Sequence, residues 1–84
     1  MLYSLIVCRS LTYAQRTAAV LGRGGITATI FRSPRAIDQE GCSYCVRVAR
    51  QRLTDALLLL GRAGLPPKRV LMLTQDGLYQ EVVL

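Results

Sequence analysis

The sequence has no histidine, so one chain can assemble no Ser-His or Cys-His pair and no His-ligated metal site. Tryptophan is absent as well. Three cysteines without histidine fall short of the four ligands of a structural zinc site, and their odd number argues against the disulfide framework of a small secreted domain. Reduced thiols in the cytoplasm, with no metal and no cofactor, are the expectation. No apolar run approaches the roughly 20 residues that cross a bilayer. The opening Met1-Leu2-Tyr3-Ser4-Leu5-Ile6-Val7 has no basic segment before it and no cleavage site after it, so it reads as a first strand rather than a leader, and no membrane partner is expected. Acidic residues are few, five against eleven basic ones. The resulting charge of +6 can attract nucleic acid, acidic proteins or anionic small molecules, and does not choose among them. Nucleic acid is the weakest of the three, because charge is its only support: the aromatic clusters of RNA-binding sheets are missing around Phe31 and Tyr44.

What is present is enough for one core. The 84 residues suffice for one domain over 1–84 and not for two, and the 51% of hydrophobic residues are spread along the whole chain. Residues 2–8 form a short apolar run of strand formers. The period then changes. Ser10 can cap a helix on which Leu11, Ala14, Ala18 and Leu21 share a face, and Gly24 and Gly25 can stop it. Residues 26–32 alternate as a second strand ending before Pro34, and a loop runs from 33 to about 41. Tyr44, Val46 and Val48 alternate with Cys45, Arg47 and Ala49 in a third strand. Leu53, Ala56, Leu57 and Leu60 mark a second helix, closed by Gly64 ahead of Pro66 and Pro67. Residues 70–74 are a fourth strand, and Asp76-Gly77 signals a hairpin to a fifth.

The hexapeptide Leu21-Gly22-Arg23-Gly24-Gly25-Ile26 returns as Leu60-Gly61-Arg62-Ala63-Gly64-Leu65, identical at four positions. Two similar βαβ halves follow. The expected fold class is α+β, a ferredoxin-like βαββαβ sandwich with an additional C-terminal strand and both helices on one face of an antiparallel sheet. Its other face would then carry Leu5, Val7, Phe31, Leu71 and Leu73 without cover, which makes a homodimer reasonable.

Chemistry concentrates in Gly41-Cys42-Ser43-Tyr44-Cys45, where a loop feeds a strand. A thiolate at Cys42 can be stabilised by positive charge from Arg35, Arg47 or Arg50; the alternative is a small residue filling a corner. Cys45 completes a Cys-x-x-Cys pattern, but a strand follows where a thioredoxin-type centre needs a helix. Cys45 therefore stands either as a resolving thiol or as a space-filler, and Cys8 as a residue at the edge of the core. Arg32, Arg35, Arg47, Arg50 and Arg52 flank the same segment in sequence, as a local anion site or as an ordinary solvated surface. Asp38 and Glu40 read as solvated loop carboxylates.

The stretch Ser33-Pro34-Arg35-Ala36-Ile37 followed by Cys42-Ser43-Tyr44-Cys45-Val46-Arg47 resembles the signature of the selenium/sulfur carrier-like family: a Pro-Arg-x-Ile stretch, a gap, then Cys-Gly and a strand with a basic residue. The opening strand, the helix begun at Ser10 and the turn at Gly25-Ile26 extend the resemblance over nearly the whole chain. Pro34, Arg35 and Ile37 match the first stretch, Cys42 the family cysteine, and Arg47 the basic strand residue. Ser43 departs from the family's glycine, and Cys45 occupies a position that is usually small. The resemblance implies a persulfide or perselenide carried on Cys42, with Arg35 and Arg47 stabilising the anion and Cys45 as a candidate resolving thiol. It implies as partners a sulfur- or selenium-donor enzyme and an acceptor protein, and a carrier rather than an enzyme with turnover of its own. The other reading is a small protein-interaction or regulatory module with structural cysteines and a basic surface.

Overall fold

A computed structural model describes residues 2–35, 37 and 43–82. Strand β1 (Tyr3–Cys8) leads into helix α1 (Leu11–Arg23) and strand β2 (Thr29–Arg32); strand β3 (Tyr44–Ala49) leads through a 3-10 turn (Arg50–Arg52) into helix α2 (Leu53–Arg62) and strand β4 (Arg69–Leu73). A short strand β5 (Tyr79–Glu81) closes the order. All four pairings are antiparallel, in the sheet order β2-β3-β1-β4-β5. Strand β3 thus lies between the two strands of the first βαβ unit, and β1 between the two of the second. This interleaving is compatible with the ferredoxin-like sandwich, and β5 extends it at the β4 edge.

Local chemistry sets the boundaries. Ser10 is extended, and its hydroxyl accepts the Tyr13 amide at 3.2 Å, satisfying one of the first free donors of α1. Both helices end on the repeated hexapeptide. The Ile26 amide donates to the Leu21 carbonyl and Leu65 to Leu60, while Gly25 (φ 83) and Gly64 (φ 70) supply the left-handed residue each turn requires. The hairpin to β5 turns at Gly77 (φ 82), with the Thr74 amide donating to the Leu78 carbonyl at 2.8 Å.

The core lies between the sheet and the two helices. Ile6, Cys8, Val46, Val48 and Val70 from the strands meet Ala14 and Leu21 from α1 and Leu53, Ala56 and Leu60 from α2, with Tyr44 and Leu57 packed at the edge. The expected face of α1 needs correction. Leu11 is 43% exposed and Ala18 only half-buried, whereas Thr17 is buried. The cap places Leu11 first in the helix, and the inward stripe runs through Ala14, Thr17 and Leu21 instead. A hydroxyl is tolerated there because the Cys8 thiol donates to Thr17 Oγ1 at 3.7 Å.

The helix-free face is not an open apolar patch. Leu5 (4%), Val7 (1%) and Leu71 (3%) are buried within the single chain, in a cluster that also holds Cys45 and Ile37, with Phe31 against it. Ile37, from the connection between β2 and β3, supplies part of the cover, while Phe31 and Leu73 of the expected patch stay half-buried.

Candidate functional site

The strand directions gather one set of chain ends. β1 and β2 finish where β3 and β4 begin, and the register sets Cys8 and Arg32 opposite Tyr44, and Val7 opposite Arg69. Helix α1 starts at the same end. Arg9, Arg32, Arg35, Lys68 and Arg69 therefore share with Ser33 and Ser43 the rim from which the segment carrying Cys42 departs and returns. Two of these cations rest on aromatic faces: Arg9 on Tyr13 at 5.2 Å and Arg32 on Tyr44 at 5.9 Å from the ring centres. The first turn of α1 contains no acidic residue, so its amide dipoles add to the positive field.

Cys42 itself lies outside the described residues, as do Asp38 and Glu40. The two ends of its segment are joined. The Ser33 amide donates to the Ser43 carbonyl at 3.1 Å, which prolongs the β2–β3 ladder by one pair. Inside that closure the Ser43 hydroxyl donates to Ser33 Oγ at 2.9 Å, and Ser33 Oγ lies 3.2 Å from Cys45 Sγ. All three side chains are buried. Ser43 thus joins a chain of two hydroxyls and one thiol at the point where β2 and β3 meet.

Cys45 is wholly buried on the helix-free face. As a resolving thiol it would have to leave Ser33 and the cover of the surrounding cluster. Cys8 sits on the other face: Val7 is the direct partner of Cys45, so the adjacent Cys8 side chain points toward the helices. The two described thiols are separated by the sheet. Burial pushes the Cys8 thiol above its ordinary range; a hydrogen bond that the Thr17 hydroxyl can donate to the thiolate opposes that rise in part, and the proximity of Cys45 adds to it. Cys8 is a fully buried core residue rather than one at the core edge.

The arginines that flank this segment in sequence do not stay together in space. Arg35 is exposed in the turn after Pro34, close in sequence to the rim. Arg47 pairs with Leu5 and Thr29 further along β3, and its guanidinium lies 4.6 Å above the Tyr3 ring. Arg50 and Arg52 follow the far end of β3, about 20 Å away along a six-residue strand, and the Arg50 amide donates to the Leu2 carbonyl. In their place topology brings Arg9, Lys68 and Arg69, which no local spacing reveals.

Arg69 is the most engaged of these. Its Nε donates to Glu81 Oε1 at 2.7 Å and its Nη1 to the Ile37 carbonyl at 3.0 Å, so one guanidinium joins β4, β5 and the β2–β3 connection. The Ile37 amide in turn donates to the Pro34 carbonyl at 2.9 Å. Elsewhere, a cleft of about 440 Å³ lined by Leu2, Ala49, Arg50 and Gln51 opens at the opposite end of the sheet from this chemistry. Among the described residues no three metal-ligating side chains converge, and no helix is long and apolar enough to cross a membrane.

No curated protein and no solved structure matches the chain. A family model does match, over residues 3–71, and that span runs from β1 through most of β4 with the Cys42 segment at its centre. The chain belongs to the family described as Putative Se/S carrier protein-like.

Proposed function

We propose that the protein carries sulfur or selenium on Cys42 between a donor enzyme and an acceptor protein. The observation that carries this reading is the family match across residues 3–71, a span that includes Cys42. Loading is a transfer: the Cys42 thiolate attacks the outer sulfur of a donor persulfide, a new sulfur–sulfur bond forms at Cys42, and the donor cysteine leaves as its thiolate. The outer sulfur is then passed to an acceptor thiolate by the same step, with no net oxidation. Such exchange needs no histidine and no metal. It is favoured by a thiolate fraction at neutral pH, which the cations at this end of the sheet support. Arg35 stabilises the bound anion from the segment itself, with Arg32 behind it; Arg47, stacked on Tyr3, acts from further along the strand.

Incubation with a cysteine desulfurase and cysteine tests the reading by intact mass. A single reductant-labile gain of one sulfur is expected for the wild type and for Cys8→Ser, and none for Cys42→Ser. A Cys42 that stays unmodified and titrates as an ordinary thiol overturns it.

A further inference from the structure

We propose that Arg69, oriented by Glu81, is a positioning residue of the thiol site: it fixes Ile37 in the cluster that encloses Cys45, and so controls when the Cys45 sulfur can be reached. The proposal does not depend on which cargo is carried. It rests on one buried cluster and two hydrogen bonds among described residues. Ile37 is 8% exposed and shares its cluster with Leu5, Val7, Cys45 and Leu71. Its carbonyl is held by Arg69 Nη1 at 3.0 Å, and Arg69 Nε is held by Glu81 at 2.7 Å. The connection between β2 and β3 is thus fastened by a side chain packed into the sheet and by a charged hydrogen bond at the same residue.

The guanidinium suits this task because its donors form a rigid planar fork. Nε binds the carboxylate, which leaves Nη1 aimed at the carbonyl; a lysine ammonium has no such fixed second direction. Release of Ile37 opens a side chain of β3 without breaking any strand pair, since Cys45 projects from the face of the sheet and its backbone stays in register with Val7 and Phe31. Cys8 offers an internal control. It is equally buried, but under the helices, so its sulfur is reached only when the core itself opens.

The experiment measures alkylation of each cysteine by peptide mass mapping under reducing conditions on the full chain. Arg69→Gln should raise the Cys45 rate by about tenfold, the factor expected when one charged hydrogen bond is lost from the closed state, and Glu81→Gln, which removes only an exposed ion pair, by about two- to fivefold, each with little change at Cys8. Arg69→Lys should not restore protection. Glu81 acts through Arg69, so the double variant should label no faster than Arg69→Gln alone. Glu81 lies on an exposed three-residue edge strand, so its substitution leaves the core intact and keeps the test decisive if Arg69→Gln folds poorly. Parallel rises at Cys45 and Cys8 would reduce Arg69 to a general stabiliser and overturn the proposal. So would an unchanged Cys45 rate in both single variants.

Discussion

Cys8 holds its sulfur 3.7 Å from Thr17 Oγ1 and 3.8 Å from the Ile6 carbonyl, in a position where a thiol can donate but a thiolate would stand desolvated. Its proton affinity is raised in the folded chain, chiefly by burial. The stability this contributes is fully present below the unfolded thiol value of about 8.5, and it is lost as pH rises toward the higher folded value, because only the unfolded chain sheds the proton easily. Urea midpoints measured from pH 7 to 10 should therefore fall more steeply for the wild type than for Cys8→Ala; equal slopes would show that another group governs the decline. Neighbouring positions on a strand face opposite ways, and in the β1–β3 register this sets Cys8 and Cys45 on opposite faces of the sheet. Sequence spacing did not show the hydroxyl chain of Ser43, Ser33 and Cys45. The available signal was two serines bracketing a loop between two strands, which is meaningful only once those strands are known to pair.

At the scale of elements, the repeated hexapeptide proves to be a repeated helix stop, and the four glycines shared by its two copies divide into two kinds. Gly25 and Gly64 sit at positive φ, where a Cβ is strained at about 1–2 kcal/mol. Gly22 and Gly61 lie within the helices, and a Cβ there meets no neighbouring atom. Gly25→Ala and Gly64→Ala should each lose roughly 1–2 kcal/mol, whereas Gly22→Ala and Gly61→Ala should gain about 0.4–1 kcal/mol from helix propensity. Chemical denaturation of the four variants checks both signs within the same motif. This motif, the order of elements and the hairpin at Gly77 were legible because each depends on residues adjacent in sequence. The phase of α1 was not. Leu11 and Ala18 are apolar at helical spacing, yet Thr17 faces the core, and only the neighbouring Cys8 thiol from another element explains why. The cover of the helix-free face was equally hidden, because Ile37 reaches it from a loop held down by Arg69 and Glu81, both more than 30 positions away.

The whole molecule carries a charge of +6, but its consequence for a thiol depends on where the cations lie. Arg9, Arg32, Arg35, Lys68 and Arg69 belong to the sheet end that launches the Cys42 segment, while Arg50 and Arg52 belong to the other. A unit charge about 10 Å from a thiolate in a largely aqueous setting contributes roughly 0.4 kcal/mol, or about 0.3 of a pH unit; at twice that distance salt at 0.1 M screens nearly all of it. Near-end and far-end charge reversals should thus separate cleanly. Arg32→Glu and Arg35→Glu should each raise the alkylation midpoint of Cys42 by several tenths of a pH unit at low ionic strength, and the two together by about the sum. Arg50→Glu and Arg52→Glu, which change the net charge by the same amount, should shift it by less than half as much at low ionic strength and leave it nearly unmoved at 0.1 M salt. Raising the salt to 0.5 M should shrink the near-end effect. If all four variants shift Cys42 alike, net charge alone is felt at the thiol and the gathering of cations at one end of the sheet has no part in its reactivity; if none does, the thiolate is set by groups within its own segment.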